Sequence, residues 1–167
     1  MTFSGSYSIV FYCPSGATAT HRAMYDDVLI PTDGSETVSE TLSHAIPIAS
    51  DNEARVHALY VIDSRITAAA DDDASDLERS LEQEGREAVE DVADRAADVG
   101  LETESEIKMG TPAKTILEYA DEQGIDLIVI GTRGKSPREK VTSLGSVSER
   151  VVDNAEIPVF VVRDAGT

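Results

Sequence analysis

Cysteine and histidine are scarce in this sequence. The single cysteine, Cys13, excludes a disulfide within the chain and fits a reducing compartment. We interpret it as an unreactive thiol. The three histidines, His21, His44 and His57, stand far apart and show no metal-ligand spacing. The sequence therefore predicts no metal site built by the protein alone.

Basic residues are also few. Lysine and arginine together number 14 against 32 acidic residues, which gives a net charge of -18. Such a surface repels nucleic acids and anionic membranes, so we expect neither as a partner. No apolar stretch approaches the roughly 20 residues that span a bilayer. We expect a soluble, cytoplasmic protein, and this acidity resembles that of proteins from salt-loving organisms.

Residues 1–23 differ in character from the rest of the chain. They contain no acidic residue and are rich in Ser, Gly, Thr and Ala. The basic start and the longer apolar run of a signal peptide are missing. Met24 then stands before the first stretch of globular pattern. Because the length suits one domain, we expect one domain over residues 24–167. Two interpretations of the extension over residues 1–23 stay open: a flexible arm, or a stretch added by an upstream translation start.

Short apolar strands alternate with longer helical segments from Met24 onward. The predicted strands are residues 28–32, 56–62, 103–109, 127–130 and 158–162. This alternation is typical of βαβ units and predicts an α/β fold with a mostly parallel sheet. The nearly continuous apolar strands indicate burial on both faces of the sheet. Ligands of such sheets bind at the carboxyl ends of the strands, where the strand order reverses.

The connecting segments predict helices with distinct ends. The first helix, residues 36–49, contains Pro47, which predicts a kink or an early end. The longest, residues 74–99, places its apolar side chains on one stripe opposite acidic ones. Ser146 and Glu149 predict a capping box at the start of the last helix.

A glycine-containing segment follows the fourth predicted strand. It begins with Gly131 and Gly134, and Gly145 precedes the last helix. Glycines let backbone amides approach a phosphate closely, and a helix N-terminus favours anions. Four of the 14 basic residues lie between positions 133 and 140, and these are Arg133, Lys135, Arg138 and Lys140. The glycines alone fit an ordinary tight turn about as well, but the basic cluster favours an anion site.

Several familiar catalytic and phosphate motifs are missing. A P-loop has four residues between its glycines, whereas two separate Gly131 from Gly134, and no G-x-G-x-x-G follows the first strand. Asp33 follows that strand and can accept hydrogen bonds from an adenine or ribose group. The alternative is a turn in which Asp33 and Ser35 bind backbone amides. No serine stands in a nucleophile-elbow pattern, so we predict no hydrolytic triad.

Taken together, these features resemble the universal stress protein family. Its members begin near a stretch like residues 25–35 and carry Gly-x2-Gly-x9-Gly-Ser/Thr late in the chain. The likeness extends to Tyr60-Val61-Ile62-Asp63 and to Gly110-Thr111-Pro112. It covers about residues 24–163. The combination is far more specific than any one of the motifs.

The resemblance implies a fold and a ligand. The fold is a three-layer, Rossmann-like sandwich of the adenine nucleotide alpha hydrolase type, with a five-stranded parallel sheet of order 3-2-1-4-5. The ligand is ATP, or ADP or AMP, with Mg²⁺ coordinated mainly by phosphate oxygens. The residues implied at the adenine and ribose end are Pro31, Thr32, Asp33 and Val61. Those implied around the ribose and phosphates are Gly131, Arg133, Gly134, Gly145, Ser146 and Val147.

One spacing departs from the family pattern. Ten residues, rather than nine, separate Gly134 from Gly145. A surface loop absorbs one additional residue at little entropic cost, so we expect binding to survive. The choice between ATP and AMP stays open.

The resemblance also implies a homodimer in which the last strand pairs across a two-fold axis. The residues concerned are Pro158, Val159, Phe160, Val161 and Val162, which would otherwise form an unprotected apolar edge. Three functions remain open: an ATP-binding stress or signalling module, a slow ATP hydrolase or nucleotidyl or phosphoryl transferase, and a dimeric interaction module without nucleotide. The absence of an evident general base favours the first. The intact glycines argue against the third.

Overall fold

The computed structural model of the protein describes residues 23–132 and 145–163. The expected extension, apart from residue 23, and the basic cluster at positions 133–140 lie outside the described residues. The strands are β1 (Asp27–Thr32), β2 (Arg55–Asp63), β3 (Thr103–Gly110), β4 (Leu127–Gly131) and β5 (Val159–Val162). The α-helices are α1 (Val38–Asn52), α2 (Ser64–Ala68), α3 (Ala74–Ala97), α4 (Pro112–Glu122) and α5 (Ser146–Asn154).

The strands of the described chain form one parallel sheet in the order β3-β2-β1-β4-β5. The predicted α/β fold and its strand order are confirmed. Because β1 pairs with β2 on one side and β4 on the other, the strand order reverses between β1 and β4. Their carboxyl ends, at Thr32 and Gly131, share one edge of the sheet. This is the edge where open α/β sheets bind ligands.

The central strand β1 is buried on both faces. Val28 and Ile30 belong to a core layer that includes residues of α1 and α3, whereas Leu29 belongs to a layer that includes Ile116 of α4. Successive side chains of a strand point to opposite faces, so one apolar run supplies both layers. Helices thus pack on both faces of the sheet, and α1, α4 and α5 begin near the carboxyl ends of β1 and β4.

Two predictions of helix ends differ from the structure. Of the two outcomes that Pro47 predicts, a kink or an early end, the early end is wrong, because helix α1 passes through Pro47 and continues to Asn52. A proline this late in a helix removes one hydrogen bond, and burial of Ile46 and Ala49 stabilises the remaining turns. In α5 the N-cap is Gly145, and no side chain caps it. The predicted capping box is therefore absent, because Ser146 is the first helical residue and stands one position too late.

The short helix α2 was not predicted. Its five residues are too few for an apolar period, and the local signal is Asp63 just before it. A carboxylate oxygen of Asp63 accepts a hydrogen bond from the backbone N–H of Arg65 at 3.0 Å, which caps the helix. The same carboxylate accepts two bonds from the Arg65 guanidinium, at 2.9 and 2.6 Å. These bonds hold the pKa of Asp63 below its usual range.

Candidate functional site

A cavity of about 340 Å³ opens at the edge where β1 and β4 end. Its volume lies within the range of small-molecule sites. Eight of the ten site residues predicted from the sequence line it, and these are Pro31, Thr32, Asp33, Val61, Gly131, Gly145, Ser146 and Val147. Arg133 and Gly134 lie outside the described residues. The structure thus brings together every predicted site residue that it describes, and their role in binding stays a prediction.

The turn after β1 places Asp33 at the cavity. Thr32 Oγ1 accepts a hydrogen bond from the backbone N–H of Gly34 at 3.2 Å, and Asp33 Oδ1 accepts one from that of Ser35 at 3.0 Å. Gly34 has a φ of 71°, a left-handed conformation that suits glycine. The turn that the sequence offered as an alternative to ligand binding is present, and it also holds the Asp33 carboxylate at the cavity wall.

The glycine side of the cavity is held by backbone hydrogen bonds. The N–H of Gly145 donates to the carbonyl of Thr132 at 2.9 Å, and the N–H of Thr132 donates to the carbonyl of Val162 at the same distance. The start of α5 is therefore tied to the ends of β4 and β5. The first turn of a helix has N–H groups without intrahelical partners. Ser146 and Val147, in the first turn of α5, line the cavity, so this wall suits an anion.

An apolar wall faces the glycine side. It consists of Leu59 and Val61 from β2, Pro112 and Ile116 from α4, and Ile130 from β4. Of these five, the sequence analysis named only Val61 as a site residue. Leu59 could have been found because it stands two residues earlier on the same strand and so shares a face. Ile116 could have been found from its position one helical turn after Pro112.

A more polar wall comes from the start of α1. Thr37, Val38 and Thr41 line the cavity, together with Thr132 after β4. Thr41 is only 3% exposed and Thr132 8%. Sequence reasoning missed all four residues. The available signal was the spacing of Thr37 and Thr41, which places them on one face of the helix.

Asp33 is the one acidic or basic residue among the described residues that line the cavity. Its charge also acts beyond the cavity. Burial raises the pKa of Tyr60 on β2, and the charge of Asp33 raises it further.

Among the residues described, no group of three or more His, Cys, Asp and Glu side chains could hold a metal ion. No helix in this part of the chain is long and apolar enough to cross a membrane.

A larger hollow of about 500 Å³ lies elsewhere, along the outer face of α3. Every residue that lines it belongs to that one helix. Its Asp76 and Arg79 side chains form an ion pair at 3.5 Å and are largely exposed. We therefore regard it as open surface, because nothing described closes it, and the β1–β4 cavity as the candidate site.

Comparison with known proteins gives a consistent result. The model of the Universal stress protein family matches residues 24–163. The universal stress protein MJ0531 of Methanocaldococcus jannaschii is 37% identical over 158 residues, which cover 93% of this chain and 92% of that protein.

Solved structures agree with this match. The structure of MJ0577, also from Methanocaldococcus jannaschii, has a TM-score of 0.77 at 31% identity and covers 86% of this chain and 99% of its own. A universal stress protein solved in complex with cAMP has a TM-score of 0.61 at 23% identity, and covers 84% and 98% of the two chains. At that identity the likeness shows the fold alone.

Proposed function

The chain belongs to the universal stress protein family, and on that premise we propose that it binds an adenine nucleotide in the β1–β4 cavity. One observation carries the proposal. Eight residues chosen from the sequence, in four separate segments, line a single cavity at the edge where this fold binds ligands. That a protein of this fold was solved with cAMP supports the ligand class.

The walls of the cavity suit the three parts of a nucleotide. We propose that the base lies against the apolar wall that contains Val61. The Asp33 carboxylate accepts hydrogen bonds from the ribose, with Pro31 and Thr32 beside it. The phosphates lie at Gly131, Gly145, Ser146 and Val147, where the start of α5 supplies N–H donors. Arg133 and Gly134 complete the phosphate end in this proposal.

ATP with Mg²⁺ is the ligand that we propose. The described part of the cavity offers a cation one carboxylate, that of Asp33, and no larger set of ligands. A magnesium ion commonly keeps several waters and binds to one or two carboxylates together with phosphate oxygens. The residues present therefore fit an ion held mainly by the nucleotide.

We propose that the protein acts as a nucleotide-dependent stress or signalling module and not as an enzyme. Among the described lining residues, none is histidine, lysine or cysteine. Efficient hydrolysis requires a group that activates water within hydrogen-bond reach. The Asp33 carboxylate is the one candidate in the described lining, and its Oδ1 already accepts a bond from Ser35.

We also propose a homodimer through Pro158, Val159, Phe160, Val161 and Val162. Strand β5 lies at the edge of the sheet next to β4, and the Phe160 side chain is 42% exposed. An apolar edge strand is a ready template for pairing with a second copy. Both observations support this assembly.

The proposed function is tested by calorimetric titration of ATP, ADP and AMP with Mg²⁺ at high salt. The parent and Gly134→Val are compared, with circular dichroism to check that both are folded. We expect the parent to bind and Gly134→Val to bind at least tenfold more weakly. If the folded parent binds none of the three nucleotides, the proposal is wrong. If the parent releases phosphate from ATP over many turnovers, it is an enzyme, and the proposal of a module without catalytic activity is wrong.

A further inference from the structure

The outer edge of β3 is unpaired among the described residues. Strand β3 stands at one end of the sheet and pairs with β2 alone. It is eight residues long, whereas β5, at the other end of the sheet, has four. Its outer side therefore presents a row of backbone N–H and C=O groups that a further strand can bind.

The side chains along this edge are mostly acidic. Glu104 in β3 and Glu102 just before it are exposed, and Glu106 is half-buried. Met109, near the end of the strand, is an exposed apolar residue. A second copy of β3 would bring like charges opposite one another, which is destabilising. The edge suits a segment without acidic residues better than it suits another copy of itself.

The chain itself contains such a segment near its start. Residues 1–25 form its longest stretch without Asp or Glu, and they hold five of its eight aromatic residues. Residues 7–12, with the sequence YSIVFY, consist largely of the aromatic and β-branched types that are enriched in strands. The family model begins at residue 24, so this run precedes the family domain. Its composition complements the β3 edge.

The described part of the chain begins within reach of that edge. The N–H of Met24 donates to Oδ1 of Asn52 at 2.8 Å, and Asn52 stands three residues before Arg55, the first residue of β2. A strand added to β3 would lie three strand spacings from β1, which is about 14 Å. A flexible chain of ten residues, the length of the stretch 13–22, spans about 16–19 Å. The run can therefore reach β3 of its own chain.

The β5 edge lies equally many spacings from β1, so distance alone does not choose between the two edges. Length does, because the six residues of the run fit beside the eight of β3 and exceed the four of β5. The contact of Met24 with Asn52 also directs the start of the domain towards the loop that leads into β2, the neighbour of β3. Both observations favour β3.

We propose that residues 7–12 bind along the outer edge of β3 as an additional strand of the same chain and so protect that edge. Backbone groups of the run pair with those of β3, and the edge is no longer open to other chains. The sheet then offers β5 alone to a second copy, which limits self-association to a closed dimer. The inference does not depend on nucleotide binding.

The single cysteine, Cys13, directly follows the run and allows a test on the full chain. A methanethiosulfonate nitroxide is attached to this ordinary thiol, and the loss of amide NMR signals is measured against the reduced, diamagnetic label. We expect the amides of β3 to lose at least half of their intensity and those of β5 to keep theirs. The two strands are four spacings apart, about 19 Å, so the label distinguishes them.

Two proline variants separate strand pairing from mere proximity. Val10→Pro removes a backbone donor from the run and disfavours a paired strand, so it should abolish the signal loss in β3. Ala19→Pro is the matched control, because it places the same residue between the run and β1. It should leave the signal loss in β3 unchanged.

Four results would overturn the inference. The first is a parent whose β3 amides keep their intensity, which would show that the acidic side chains alone protect the edge. The second is an equal or greater loss in β5. The third is a loss in β3 that persists in Val10→Pro. The fourth comes from mixing isotope-labelled chains without nitroxide and nitroxide-labelled chains without isotope, since a loss in β3 there would show that the run binds a second copy.

Discussion

Nε2 of His57 lies 2.8 Å from Oδ1 of Asp27 and ties β2 to the first residue of β1. The other ring nitrogen, Nδ1, lies 3.0 Å from the hydroxyl of Tyr119 on α4. His57 is 1% exposed, so both polar atoms of a buried ring have partners. This cluster stands at the amino ends of the strands, whereas the candidate site stands at their carboxyl ends.

The first prediction concerns this buried pair. Asp27→Ala removes the acceptor and leaves a buried imidazole nitrogen unsatisfied, which costs about 1–3 kcal/mol. We expect urea unfolding at neutral pH to show that loss. Asp26→Ala is the control, since Asp26 is the exposed neighbour and only its backbone N–H binds Asp126. An equal loss in both variants would show that the Asp27–His57 bond does not matter for stability. Nucleotide affinity should be the same in all three proteins.

The second prediction concerns alkaline pH. Burial, followed by the charges of Glu106, Glu104 and Asp27, raises the pKa of Tyr119 to about 12 from an ordinary 10.0. Because the folded state holds this proton more tightly than the unfolded state, the stability it confers is complete below pH 10. That stability is lost as the pH rises towards 12.

Unfolding free energies measured between pH 8 and 12 should therefore fall more steeply for the parent than for Tyr119→Phe. The comparison uses slopes, because losing the hydroxyl also removes the bond to His57 at every pH. Tyr60, whose pKa is also raised by burial, leaves some slope in both proteins. Parallel curves would contradict the assignment to Tyr119.

The third prediction concerns Gly85 in α3. A Cβ atom added there would lie 2.7 Å from Cδ1 of Tyr60, whose side chain is buried against the helix. Gly→Ala in an exposed helix interior stabilises by about 1 kcal/mol. Here overpacking costs about 1–3 kcal/mol, so we expect no gain and a net loss of up to about 2 kcal/mol.

A double-mutant cycle checks that cause. In a Tyr60→Leu background, which removes the ring, Gly85→Ala should be less costly than in the parent or should stabilise. If the cost is the same in both backgrounds, the ring is not what excludes the methyl group.

The local pattern of apolar and polar residues predicted most of the fold, because the alternation of apolar strands and amphipathic helices depends on residues that are close in sequence. The site residues at the strand ends followed from the family's motifs, since Asp33 and Gly131 each stand directly at the end of a strand. Contacts between distant segments left no such signal. The approach of Gly85 to Tyr60 depends on how α3 crosses β2, and the place of Thr41 depends on which face of α1 borders the cavity. Helix α1 does not end at Pro47, because tertiary burial outweighed that local preference.

The last prediction concerns the proposed dimer and its dependence on salt. Two chains that each carry a net charge of -18 repel one another, and that repulsion is screened as the Debye length falls from about 30 Å at 0.01 M to about 3 Å at 1 M ionic strength. Sedimentation of the parent should therefore show a dimer whose fraction rises with salt.

Phe160→Lys places a charge on the exposed β5 edge and should shift the protein to monomer at 1 M salt. Val152→Lys, at an exposed apolar residue of α5, adds the same charge on the helix and not on the strand edge, and should leave the dimer intact. A parent that stays monomeric at 1 M salt, or a Val152→Lys variant that dissociates as readily as Phe160→Lys, would show that β5 is not the interface.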